Sequence, residues 1–143
     1  MEELIELRKS ITSGDYSKAL EIVDQLEEMS LEDKLNKIYS YTVILLLHLI
    51  KQEAEGKTTR SWSNSILNSA EQINRINKRR KSGGYYAKAE VLQEIIDDAF
   101  PPALRNAALE ASGGAYQEEE LLKMISSLSD IKQKALNLLE SKT

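Results

Sequence analysis

Residues 31–55 read LEDKLNKIYSYTVILLLHLIKQEAE, and the fold turns on how this stretch distributes its apolar side chains. Leu35, Ile38, Tyr39, Thr42, Leu45, Leu46 and Leu49 recur at helical steps and make one broad face, while Tyr41, Ile44 and His48 make a second. A helix that is apolar on nearly every side belongs at the centre of a fold. From Leu31 to about Glu55 it would span on the order of 37 Å, at about 1.5 Å per residue. Its greasiest part, Tyr41 to Ile50, falls well short of the roughly 20 residues that cross a bilayer. A buried core helix with no membrane role is therefore predicted. Ser30 and Asp33 form an S-x-x-D pattern that would cap its start.

Downstream, Gly56 and the polar residues Lys57 to Arg60 make a short turn, and a further helix is expected from about Ser61 to Ser82, with the stripe Trp62, Ile66, Ala70, Ile73 and Ile76. A turn this short forces the two helices into an antiparallel hairpin. Upstream, residues 2–12 read as a helix stopped by Ser13-Gly14-Asp15, and a second helix carries Tyr16, Ala19, Leu20, Val23 and Leu26. Beyond Gly83 and Gly84, a fifth helix with Tyr85, Ala89, Leu92, Ile96 and Ala99 is expected to stop before Pro101, because a residue preceding proline avoids helical angles. Pro101 or Pro102 would open a short sixth helix ending at Gly113 and Gly114. A seventh, from about Glu118 to Glu140, carries Leu121, Met124, Leu128, Ile131, Ala135 and Leu138 at alternating steps of three and four, a heptad seam across nearly three repeats. No run alternates as a strand would. The expectation is one all-α domain over residues 1–143, an irregular bundle of about seven helices around a long central antiparallel hairpin. A chain of 143 residues can hold such a core without staples.

Composition excludes several chemistries. With Cys 0, there can be no disulfide, thiolate metal site or cysteine nucleophile, and with His 1 no multi-histidine metal site. Neither glycine pair fits a phosphate loop or a dinucleotide-binding fingerprint, so no cofactor is expected. The acidic N-terminal stretch MEELIELRKS lacks the pattern of a secretory leader, which makes the cytoplasm the expected compartment.

Charge follows an acid, base, acid order along the chain. Residues 1–33 hold ten acidic and three basic side chains, net −7; residues 34–88 hold three and eleven, net +8; residues 89–143 hold ten and five, net −5. Acidic helices packed beside a basic middle explain this simply, with exposed pairs each contributing at most about 1 kcal/mol. The sharper reading is a basic face offered to an acidic partner.

Three groups of residues stand out as candidates. His48 is the single side chain of the type that changes charge near neutral pH. No carboxylate lies one turn away from it, and in the hairpin it would stand level with Ser65 to Ser69, so a core histidine bonded to Ser65, Asn68 or Ser69 is favoured over a proton-transfer group. Lys78, Arg79, Arg80 and Lys81, with Arg75 one turn earlier and Tyr85 and Tyr86 following, form the one dense basic cluster. Basic side chains beside aromatics suit a nucleic-acid strand, but the end of a helix dipole accommodates the same cations. Trp62 reads as an anchor at the mouth of the hairpin, with Arg60 beside it able to hold a carboxylate.

The segment LLLHLIKQEAEGKTTRSWSNSILNSAEQI, residues 45–73, resembles a bacterial family catalogued as domain of unknown function 29 and common in cyanobacteria. The resemblance rests on His48, Lys51, Arg60, Ser61, Trp62 and Ile66. Gln52 stands where members often carry an aromatic, and Ser69-Ala70 where they carry Ala-Arg, so no role for that arginine transfers. The resemblance implies an all-helical fold, assigns no activity, and marks His48, Arg60 and Trp62 as a structural lock at one end of the hairpin. The functional expectation is a protein-interaction or self-association module, with the heptad seam of the last helix as one route to self-association. A nucleic-acid-binding protein using Arg75 to Lys81 is the alternative, and an enzyme is disfavoured.

Overall fold

The computed structural model describes residues 2–79, 83–110, 114, 117–124 and 128–140. It is all-α: α1 Glu2–Thr12, α2 Tyr16–Glu55, α3 Arg60–Asn77, α4 Ala89–Glu110, α5 Glu118–Met124 and α6 Leu128–Glu140. Among the described residues the extended pairing is a single antiparallel bridge between Lys78 and Tyr85. The chain divides into two compact units, Met1–Lys34 and Leu35–Thr143.

In the first unit, α1 ends at a turn where Gly14 takes φ 81, a left-handed conformation that glycine adopts without the clash a Cβ brings. Asp15 then caps α2: its Oδ1 accepts from Lys18 N at 3.2 Å, and its own N–H donates to Ser10 O at 2.9 Å. Buried apolar residues of this unit are Ala19 and Ile22, whereas Leu4, Ile5, Ile11, Tyr16, Leu20 and Met29 are exposed.

The second unit holds the core. Ile38, Leu45, Leu46 and Ile50 of α2 are sealed from solvent together with Ile73 of α3, Ile96 of α4 and Leu121 of α5. Small residues let the helices approach: Ala99, Ala103 and Ala107 on α4 and Ala135 on α6 are fully buried where these two helices pack. Lys132 of α6 ties them at the rim, its Nζ lying 3.1 Å from Asp97 Oδ1 and 5.1 Å from the Phe100 ring. Asn74 of α3 donates to Leu138 O of α6 at 3.4 Å.

Several expected boundaries are corrected. The separate second and third helices are one helix of 40 residues. Ser30 sits exposed within it, because no glycine or proline lies between Tyr16 and Glu55, and propagating a formed helix is easier than nucleating a new one. Full burial also begins later than Leu31: the sealed stretch starts at Ile38, while Leu31 and Ile44 are 39% and 42% exposed. The expected fifth and sixth helices are likewise one, with Pro101 and Pro102 inside α4. The two carbonyls that lose an amide partner to the prolines belong to Asp97 and Asp98, both exposed, so water can satisfy them, and burial of Phe100, Ala103 and Leu104 outweighs the local penalty. Tyr85 lies before this helix, in the bridge, and α3 ends at Asn77 rather than Ser82.

The last helix is instead two, α5 and α6, with residues 125–127 outside the described set. Of the seam positions whose burial is described, Leu121, Ile131 and Ala135 are buried in their own chain. Those three positions are therefore closed to pairing with another subunit.

Candidate functional site

The best-defined constellation sits where α2 turns into α3. Lys51 closes the apolar run of α2, and its aliphatic stem is buried, with the residue only 7% exposed. An ammonium in such a place costs several kcal/mol unless it is partnered. Two groups partner it: Glu110 Oε1 at the end of α4, 3.3 Å away, and the ring of Trp62 in the first turn of α3, with its centroid 4.7 Å from Nζ. The aromatic face supplies negative electrostatic potential worth about 0.5–2 kcal/mol.

The turn itself is fixed by caps. Thr59 is the N-cap of α3, its Oγ1 accepting from Trp62 N at 3.1 Å, which sets Trp62 in place. Gln52 Nε2 donates to Thr58 Oγ1, which also lies 3.2 Å from Ser63 Oγ. Gln52 thus replaces the aromatic of the resemblance with a polar tie across the turn. A shallow groove of about 600 Å³ adjoins this end, lined among others by Leu49, Thr58 and Ile131. Glu53 and Asp130 share its rim with Lys57 and Lys134, so it presents no net charge to select an ion.

His48 is half-buried, and its Nδ1 is 2.9 Å from Ile44 O on the same helix. A carbonyl only accepts, so Nδ1 carries the proton in this contact. The expected partners Ser65, Asn68 and Ser69 are replaced by this backbone carbonyl, because the ring folds back along its own helix. Among the described residues no carboxylate bonds to it. Arg60 is exposed and lines a surface depression with Ser61, Asn64, Ser65 and Asn68; among the described residues nothing ties its guanidinium. Of the three residues marked as a lock, Trp62 is held by Lys51, which Glu110 pairs in turn.

The basic cluster is placed differently from the expectation too. Arg75 lies in the last turn of α3, Lys78 is its C-cap, with its N–H donating to Asn74 O, and Arg79 follows the helix. Arg80 and Lys81 lie outside the described residues. The chain reverses through Gly83 and Gly84, at φ 70 and 74, and Arg79 N donates to Gly84 O at 3.0 Å. Asn77, 2% exposed, clamps the returning strand: its Nδ2 donates to Ala87 O at 2.8 Å and its Oδ1 accepts from Ala87 N at 2.6 Å. Tyr86 N donates to Asn77 O at 2.9 Å. The Arg79 guanidinium lies over the Tyr86 ring, 5.4 Å from its centroid. Arg75 and Lys78 thus stand at the C-terminal end of α3, where the helix dipole favours cations, and Arg79 sits on the turn pinned by Asn77.

Sequence reasoning missed Lys51, Glu110 and Asn77 as organising residues. Lys51 carried one signal, a lone cation closing an apolar run. Glu110 and Asn77 carried none, since their partners are set by the fold.

A family model described as Domain of unknown function DUF29 matches residues 15–130, well over half of the chain. No curated protein and no solved structure matches. Among the described residues no helix is long and apolar enough to cross a membrane.

Proposed function

Since the chain belongs to the DUF29 family, a domain of unknown function, its role has to be read from its own surfaces, and we propose that it is a protein-interaction module whose contact face lies on residues 2–34. One observation carries this reading. Six large apolar side chains in that unit, Leu4, Ile5, Ile11, Tyr16, Leu20 and Met29, are between 47% and 64% exposed, against the two buried apolar residues Ala19 and Ile22. Single exposed leucines are ordinary. A short helical unit that leaves most of its large apolar side chains in water gains stability when a partner covers them, at about 25 cal/mol per Å² of apolar surface. The net charge of −7 over residues 1–33 favours a partner surface that is basic.

The second reading, a nucleic-acid binder, draws on Lys78 and Arg79 beside Tyr85 and Tyr86 at one turn. It ranks behind, because Arg79 covers a face of the Tyr86 ring on which a base would stack, and because the chain carries net −4.

The test compares the full chain with a variant carrying Leu4→Asp, Ile11→Asp and Leu20→Asp. These positions are exposed, so helical content should be unchanged. Recovery from a lysate of the source cells should yield bound protein with the original chain and lose it with the variant. The same proteins on both, or none on either, would refute the reading.

A further inference from the structure

The outward face of α3 has the spacing and charge to receive this acidic unit from another molecule. Arg60, Asn64, Asn68, Glu71 and Arg75 fall at steps of four, four, three and four along one side of α3, all exposed, with Leu67 beside them 56% exposed and Lys78 beyond. The first part of α2 shows the same steps in Tyr16, Leu20, Asp24, Glu27 and Leu31, again all exposed. Each strip runs about 22 Å. One is apolar with two acids, the other polar with three cations and one acid. We infer that the strip over residues 16–31 docks on the outward face of α3 of a second copy of this chain, an inference that rests on the interaction reading above and names its partner.

Charge decides between candidate pairings. Two acidic strips meeting face to face would bring Asp24 and Glu27 against their own copies, whereas the exchange sets them against a face with Arg60, Arg75 and Lys78 and one acid, Glu71. Reciprocal exchange between two copies makes the contact twice. Made twice, a strip about 22 Å long and about 10 Å wide covers only on the order of 440 Å² on each partner. That is below the roughly 800 Å² per partner of a stable interface, so the dimer is weak and reversible.

The experiment measures the mass of the full chain by sedimentation equilibrium across concentration and salt. Mass should rise toward a dimer with concentration and fall back between about 0.05 and about 0.5 M salt. Asp24→Lys with Glu27→Lys in one variant, and Arg75→Glu with Lys78→Glu in another, alter exposed positions and should keep the helical signal. Each alone should weaken association about tenfold or more, and an equal mixture of the two should restore it, since each then offers the other's complement. A monomer at every concentration up to about 1 mM, either variant associating like the original chain, or a mixture that stays monomeric would each overturn the inference. So would unchanged mass in the Arg75→Glu, Lys78→Glu variant combined with loss of salt-dependent binding to single-stranded DNA. Were the chain monomeric while the Leu4, Ile11 and Leu20 variant still lost its recovered protein, the interaction reading would stand and the second copy would fall.

Discussion

The ammonium of Lys51 lies 4.7 Å from the centroid of the Trp62 ring, so the last turn but one of α2 and the first turn of α3 are level with each other. That contact closes the turn between the two helices, and Glu110 joins α4 to it through the same cation.

Removing one side of this arrangement costs more than removing its charge. Glu110→Ala leaves the Lys51 ammonium with the ring alone and should destabilise the chain by about 1–2 kcal/mol, the larger penalty for a buried pair being discounted because the Glu110 side chain is 51% exposed. Lys51→Met keeps the stem volume and removes the buried charge, so it should be close to neutral. Denaturation followed by the single tryptophan checks both, and equal losses would contradict the account.

Asn77→Leu should be among the most damaging substitutions outside the apolar core. It strips partners from both the N–H and the carbonyl of Ala87, and each unsatisfied buried group costs about 1–3 kcal/mol. Hydrogen exchange should show the Ala87 amide losing protection. Retained protection would mean the turn is held by other contacts.

Caps separate from look-alikes. Thr59→Ala should cost about 1 kcal/mol, since its hydroxyl accepts from Trp62 N. Ser30→Ala, at a position that resembles a cap but lies inside α2, should stay within about 0.5 kcal/mol or stabilise slightly, because alanine is the better helix former. Thermal melts of the two variants decide it.

Pro101→Ala should raise stability, by up to about 3 kcal/mol less whatever strain the helix has already relieved, because it restores an amide at an exposed position within a continuous α4. A lowered melting temperature would indicate that the proline shapes α4 instead of being tolerated by it.

Much of the candidate site was half-legible. Trp62 and the polar turn before it were visible as a large ring following a breaker, and they mark the hairpin mouth. His48 drew attention as the single residue of its kind, yet its ring bonds back to Ile44 O, a contact any half-buried helical histidine can make. The cations from Arg75 to Arg79 were visible as a cluster, but the turn that carries Arg79 depends on Asn77, an ordinary residue in the sequence.

The amino-acid order alone determined that the chain is helical, that the apolar run within Leu31 to Glu55 supplies core side chains, and that a short turn leads from it into the helix bearing Trp62. These follow from periodicity and turn chemistry, which act over a few residues. Tertiary structure alone decided that α2 passes through Ser30, that α4 runs through two prolines, and that Lys51 meets a glutamate 59 positions away. In each case a local preference of about 1–3 kcal/mol competes with burial against distant segments, and which wins depends on what the rest of the chain packs alongside.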